Sequence, residues 1–222
     1  MFRRITHVIY DVDGLLLDTE PFYTQVNRTI AERYGRTYDW SLKTLTLGRR
    51  AADTARIMVE TVPLPMTPEQ YLIERSVLIE DLFPSAKPMP GAVRLTRHLH
   101  RHGITQAIAS SSEVHHFALK TSRHQDWFGI FECRVIGADP EVKHGKPAPD
   151  IFLVTARRLG ADPSSCLVFE DSPSGVEAAA AAGMAAVAVP DPNIAHLPFP
   201  GAQQVLKSLT EFDPVEWGLP AY

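Results

Sequence analysis

Cysteine is scarce: the 222-residue chain has two, Cys133 and Cys166. They form no C-x-x-C arrangement, which argues against a disulfide scaffold or a thiolate metal site, and both read as structural residues, with Cys166 inside an apolar run. No stretch approaches the ~18 apolar residues of a membrane span. The start Met1-Phe2-Arg3-Arg4 leads too quickly into polar sequence for a secretory leader. Cationic excess is also missing, because 22 Lys and Arg face 26 Asp and Glu for a net charge of −4. A nucleic-acid polymer is therefore not an expected partner. Internal repeats are absent, and the short alanine run at 178–182 suits a helix. A cytoplasmic chain without membrane association is expected, with a monomer as the default.

What is present is the pattern of an ordinary globular protein, with 45% hydrophobic and 22% charged residues. The length allows one α/β domain carrying an insertion. Thr6 to Tyr10 is a short apolar run rich in β-branched residues that stops at Asp11, so it predicts a buried strand with carboxylates at its C-terminal end. Similar strands are predicted at Ile104 to Ser110, Cys133 to Gly137, Ser165 to Glu170 and Met184 to Val189. Helical patterns separate them, and Gly103, Gly160 and Gly183 follow three of these helices in the position a left-handed cap requires. The alternation predicts an α/β fold: a Rossmann-like, mostly parallel sheet with helices on both faces.

Between the first two strands the alternation disappears. Thr67-Pro68-Glu69-Gln70 combines a capping box with proline at the first helical position, a helix-start signal. The expected organisation is a core of residues 1–14 and 91–222, an inserted helical cap at 21–83, and two hinge strands at 15–20 and 84–90.

In open α/β sheets, ligands bind outside the carboxyl ends of the strands. Asp11 and Asp13 follow the two-residue repeat of extended chain, so both side chains can leave the strand end on the same face. That pairing suits a nucleophile, Asp11, beside a general acid/base, Asp13. Phosphate monoester hydrolysis calls for such a pair and for cations besides, because enzymes accelerate it by up to about 10²¹-fold. Ser110 and Ser111 offer hydroxyl and N–H groups for phosphate oxygens, although such a serine run alone also suits a helix cap. Lys146, between Gly145 and Pro147, supplies a compact positive charge for phosphate and nucleophile. Glu170-Asp171 ends another strand, and with Asp11 makes an oxygen-rich site suited to Mg²⁺.

These segments, Asp11-Val12-Asp13-Gly14, Ser110, Lys146-Pro147 and Glu170-Asp171, stand in the order of the four motifs of the haloacid dehalogenase superfamily, which the chain resembles over nearly its whole length. Within it, Asp11 to Glu20, Lys120 to His124, Asp139 to Pro147 and Phe212 to Pro220 resemble the pseudouridine-5'-phosphatases. The resemblance implies Asp11 as nucleophile, Asp13 as acid/base, and Ser110 and Lys146 as phosphoryl contacts. It also implies Mg²⁺ held by Asp11, Asp171 and the Asp13 carbonyl, with Glu170 in indirect support. The implied partner is a small phosphorylated metabolite, pseudouridine 5'-monophosphate first. Sugar phosphates such as 2-deoxyglucose 6-phosphate, or glycerol phosphate, are the alternatives. Dehalogenation would not need Asp13 or Glu170-Asp171. A β-phosphoglucomutase-like reaction shares all the motifs, and a catalytically silent phosphate binder would not need the intact Asp11 and Asp13 pair. For specificity, Arg49 and Arg50 are candidates, with Phe22, Tyr23, Tyr34, Tyr38 and Trp40 as packing or stacking groups. The adjacent His115 and His116 lack the i, i+4 spacing of a two-histidine metal site.

Overall fold

Short apolar strands joined through helices can pair only in parallel, buried on both faces. The computed structural model describes residues 4–222, so most of the Met1-Phe2-Arg3-Arg4 start and the first residues of the expected core lie outside the described residues. Strands β1 (His7–Tyr10), β2 (Thr105–Ser110), β3 (Cys133–Ile136), β4 (Cys166–Glu170), β5 (Ala185–Ala188) and β6 (Gln204–Val205) form one parallel sheet in the order β3-β2-β1-β4-β5-β6. Five of these are the expected strands, shortened by one or two residues. β6 was not expected, because a two-residue strand carries no periodic signal.

Side chains alternate between two apolar layers, as the strand period requires. Val8, Tyr10, Ile108, Leu167, Phe169, Ala185 and Val187 face one layer. Ile9, Ala109, Val135, Cys166, Val168, Ala186 and Ala188 face the other. On the first side lie α5 (Ala92–Arg101) and α7 (Gln125–Phe128), with Phe212 and Leu219 from the C-terminal segment. There Phe169 stacks on Tyr10 at 5.2 Å and meets Phe212 edge-on at 4.8 Å. On the second side lie α8 (Asp150–Leu159) and α9 (Pro173–Ala181). Both cysteines are free, with Cys166 in the core.

Residues 20–80 contribute α1 (Glu20–Arg33), α2 (Trp40–Thr46), α3 (Ala51–Thr61) and α4 (Pro68–Glu80), and α6 (Val114–Thr121) follows β2. The first four share a separate apolar cluster that includes Val26, Ile30, Met58, Tyr71 and Ile79. α4 starts as its sequence requires: the Thr67 hydroxyl accepts from the Gln70 amide at 3.3 Å, and the Gln70 side chain accepts from the Thr67 amide at 2.8 Å. Where the helical segment leaves and rejoins the sheet, the two chain segments run antiparallel. The Met89 amide donates to the Leu16 carbonyl and the Asp18 amide to the Lys87 carbonyl, each at 2.8 Å. Among the described residues, no helix is long and apolar enough to cross a membrane.

Candidate active site

The ladder carries Asp11 past the end of β1, since its amide donates to the Phe169 carbonyl at 3.0 Å. Lys146 arrives from the loop before α8, 2% exposed, and its amine donates to Asp11 Oδ1 at 2.6 Å, to the Ala109 carbonyl at 3.3 Å and to Glu170 Oε1. One buried cation therefore ties the ends of β1, β2 and β4 together. The other oxygen of Glu170 accepts from the Ser172 amide and hydroxyl at 3.0 and 2.8 Å. Gly175 is a packing requirement here, because a Cβ on it would stand 1.9–2.2 Å from the Glu170 carboxylate.

Asp13 has its own cation. Lys120, 1% exposed on α6, donates to both Asp13 oxygens at 2.6 Å, while Thr19 and Ser112 donate to them at 2.6 and 2.9 Å. Burial alone would raise the Asp13 carboxyl, but the Lys120 charge and these hydrogen bonds outweigh it and hold the group below the usual carboxylate range. For Asp11 the balance is reversed. Burial, reinforced by Glu170 and Asp13, outweighs Lys146 and pushes it up to about 7. Two carboxylates two residues apart thus sit in electrostatically opposite settings: Asp13 is held ionised by Lys120, and Asp11 is the more readily protonated of the two.

Asp171 is close enough to Asp11 to feel its charge. Its buried carboxylate accepts no hydrogen bond among the described residues, and burial, then the charges of Glu170 and Asp11, push it well above the ordinary range. Gly14, at φ +76°, leaves room for it, since a Cβ there would stand 2.4 Å from Asp171 Oδ2. Among the described residues no three His, Cys, Asp or Glu side chains form a ready-made metal cage. Two buried, mutually repelling carboxylates nevertheless fit Mg²⁺, which takes few protein carboxylates and fills its shell with water and substrate oxygens. Glu170 has both oxygens occupied by protein donors, which fits only an indirect part.

Ser110, the last residue of β2, is fully buried and donates to the Ser112 hydroxyl at 2.9 Å. Ser111 and Ser112 line the pocket next to Asp11 and Asp13. The helical segment closes over this pocket: Ser111 donates to the Gly48 carbonyl at 2.9 Å and Ser174 to the Leu47 carbonyl at 3.0 Å. Arg49 lines the pocket, whereas Arg50 does not. The Arg50 guanidinium turns to the core and donates to the Val142 and Lys143 carbonyls at 2.7 and 3.2 Å, so its placement is that of a contact between helical segment and core. Of the aromatic candidates, Tyr23 and Tyr38 line the pocket, Phe22 packs against both neighbouring apolar clusters, and Tyr34 and Trp40 are exposed. His116 faces the pocket and shares a 3.0 Å hydrogen bond with Ser76, while His115 pairs with Glu80 at 3.3 Å; neither forms a metal pair with the other.

Sequence reasoning missed Lys120 and Ser112 as partners of Asp13, and Glu20, Asn27, Lys43 and Arg75 as pocket residues. Lys120 lies 107 residues from Asp13. Its signals are its place at the start of the Lys120 to His124 segment that carries the family resemblance, and its i, i+4 spacing from His116 on the buried side of a short helix.

Comparison with known proteins agrees with this architecture. The profile of the haloacid dehalogenase-like hydrolases matches residues 5–183. An Arabidopsis thaliana protein named (DL)-glycerol-3-phosphatase 1, mitochondrial, is 50% identical over 98% of this chain and 75% of its own length. A Drosophila melanogaster protein named probable pseudouridine-5'-phosphatase is 47% identical over 100% of this chain and 97% of its own. The crystal structure of a HAD hydrolase, family IA, variant 3, from Entamoeba histolytica shares the fold, with a TM-score of 0.80 at 23% identity, covering 96% of this chain and 97% of that one. The chain belongs to the haloacid dehalogenase-like hydrolases and is an enzyme of the phosphoric monoester hydrolase type.

Proposed function

We propose that the chain hydrolyses a small phosphate monoester in two displacements, through a phosphoryl group carried on Asp11. The observation that carries this reading is the division of cations. Lys146 holds one oxygen of Asp11, while Lys120, from α6, holds Asp13. In the first displacement an Asp11 oxygen attacks phosphorus and the bond to the leaving oxygen breaks, with Asp13 in its protonated form supplying the proton. The ion pair with Lys120 keeps Asp13 ionised in the resting enzyme, and the negative charge of an arriving phosphate favours its protonation. In the second displacement Asp13, now a carboxylate, takes a proton from water as that water attacks the phosphorus. Inorganic phosphate leaves and Asp11 is regenerated.

Ser110, Ser111 and the Lys146 amine are the groups we assign to the phosphoryl oxygens, with Ser110 releasing Ser112 and Lys146 releasing one of its three present acceptors, Asp11, Ala109 and Glu170, when phosphate arrives. Asp11, Asp171 and the Asp13 carbonyl would hold Mg²⁺, with Glu170 acting through Lys146. When bound, the ion neutralises charge on the phosphoryl oxygens and the nucleophile. Closure of the 21–83 segment over the pocket, hinged at 15–20 and 84–90, excludes bulk water during the reaction. Hydrolysis rather than phosphoryl shuttling is supported by the hydrolase family and by the names of relatives at 47 and 50% identity.

Pseudouridine 5'-monophosphate and glycerol phosphate are both supported by those relatives, and three percentage points of identity do not rank them. The test is phosphate release from these two substrates and from 2-deoxyglucose 6-phosphate, each with Mg²⁺ and with EDTA. Release that needs Mg²⁺ and drops at least about 100-fold in EDTA is expected, because two repelling carboxylates would otherwise face a dianion. Undiminished release in EDTA would remove the metal from the account. Binding of phosphate without release from any substrate would favour a silent binder.

A further inference from the structure

The pocket beside Asp13 contains a buried cation whose Nε has no acceptor. Arg75, on α4, is 8% exposed and lines the pocket. Its Nε is buried without a partner, and its guanidinium enters no hydrogen bond or ion pair among the described residues. It lies over the Tyr23 ring at 4.8 Å. The carboxylate next in sequence, Glu74, pairs with Arg33 instead. Other polar groups of this wall are satisfied by protein: Asn27 donates to the Tyr38 hydroxyl at 3.1 Å and accepts from Tyr71 at 2.7 Å, and Lys43 donates to Thr24 at 2.8 Å and pairs with Glu20 at 3.3 Å. A buried guanidinium nitrogen left without an acceptor is destabilising, so its retention in a substrate pocket points to an acceptor that the substrate brings.

We propose that Arg75 and Glu20 form a leaving-group subsite for a short polyol, whose neighbouring hydroxyls accept from the guanidinium and donate to the Glu20 carboxylate. The inference rests on the phosphatase reading and names its substrate class: a phosphorylated polyol of the size of glycerol phosphate. Two further observations select this class. The cavity is about 70 Å³, small beside the about 300 Å³ at which ordinary ligand pockets begin, which favours a leaving group of a few heavy atoms over a nucleoside. Glu20 also lines the cavity, and a carboxylate or second phosphate on the leaving group would meet its charge without offering it a donor. A hydroxyl can accept from one side and donate to the other. The planar guanidinium fork suits two adjacent oxygens better than a single-point amine would.

The test compares kcat/KM for glycerol 3-phosphate with that for ethyl phosphate, which keeps the phosphoryl group and lacks the free hydroxyls. Pseudouridine 5'-monophosphate and phosphoglycolate complete the panel, and each substrate is measured with the wild type, Arg75→Met, Arg75→Lys and Glu20→Gln. The expected results are a wild-type preference for glycerol 3-phosphate, a fall in the glycerol-to-ethyl ratio of about 10- to 100-fold in Arg75→Met and Glu20→Gln, and partial recovery in Arg75→Lys. A ratio unchanged in Arg75→Met, with thermal melts showing the variant folded, overturns the subsite and leaves the phosphatase reading standing. So does a wild type that prefers pseudouridine 5'-monophosphate or phosphoglycolate. Should Arg75→Met fail to fold, the Glu20→Gln ratio decides in the same way. No release from any of the four substrates overturns the subsite and the phosphatase reading together.

Discussion

Asp11→Asn is expected to lower kcat by about 10⁴-fold or more, the scale of loss when a covalent nucleophile is removed. The amide keeps the size and one acceptor oxygen of the carboxylate, so the contact with Lys146 survives in part while the attacking oxygen loses its charge. Removing a carboxylate that burial already pushes up to about 7 relieves an electrostatic cost. The variant is therefore expected to melt no lower than the wild type. Phosphate release and a thermal melt on the same preparation separate lost chemistry from lost fold. Activity within about 100-fold of the wild type would mean that water attacks phosphorus directly and that Asp11 only shapes the site.

Lys146→Met carries the largest expected cost in stability. The amine is buried with Asp11 and Glu170, both also buried, and removing one partner from such a cluster typically costs about 3–5 kcal/mol because the remaining charges stay behind unpaired. The pH dependence has a definite sign. A carboxyl whose pKa in the folded protein lies above its unfolded value of ~3.9 binds a proton preferentially when folded, so stability falls as pH rises between the two values. With Lys146 present, that window for Asp11 closes at about 7. Without the nearby cation it extends upward. In EDTA, the deficit of Lys146→Met against the wild type should be smallest near pH 5 and should widen above pH 7. Urea unfolding at both pH values measures it, and a deficit independent of pH would show that Lys146 contributes packing and not charge.

The parts of the fold and site that could be read in the sequence are those where a pattern changes abruptly. Asp11, Ser110 and Glu170-Asp171 each interrupt or follow a buried apolar run, and a strand end facing the ligand side of a parallel sheet is a position with chemical meaning. The structure brings Asp11, Asp13, Lys146, Glu170 and Asp171 into one cluster. Helix ends were readable where Gly103, Gly160 and Gly183 take positive φ. What escaped were contacts made across the chain by single side chains. Lys120 reaches Asp13 from a helix that any exposed lysine could decorate. Arg75 carried a signal that periodicity offered: Tyr71, Arg75 and Ile79 stand four apart and are the buried residues of α4, so a charge interrupts an apolar stripe. Arg50 shows the reverse difficulty. Two adjacent arginines at a helix start are alike in sequence, yet backbone geometry sends Arg49 to the pocket and Arg50 to the core carbonyls.

The central claim is the covalent intermediate, and acid-quenched single turnover tests it most directly. The enzyme, with Mg²⁺ and glycerol 3-phosphate, is quenched on the millisecond timescale and its peptides are mapped by mass spectrometry, in the wild type, in Asp13→Asn, where both displacements are expected to slow, and in Asp11→Asn. The account predicts a phosphoryl group on the peptide containing Asp11 in the wild type, slower to form and slower to decay in Asp13→Asn, and none in Asp11→Asn. Phosphate released in the first turnover with no phosphoryl group on Asp11 at any quench time would contradict it.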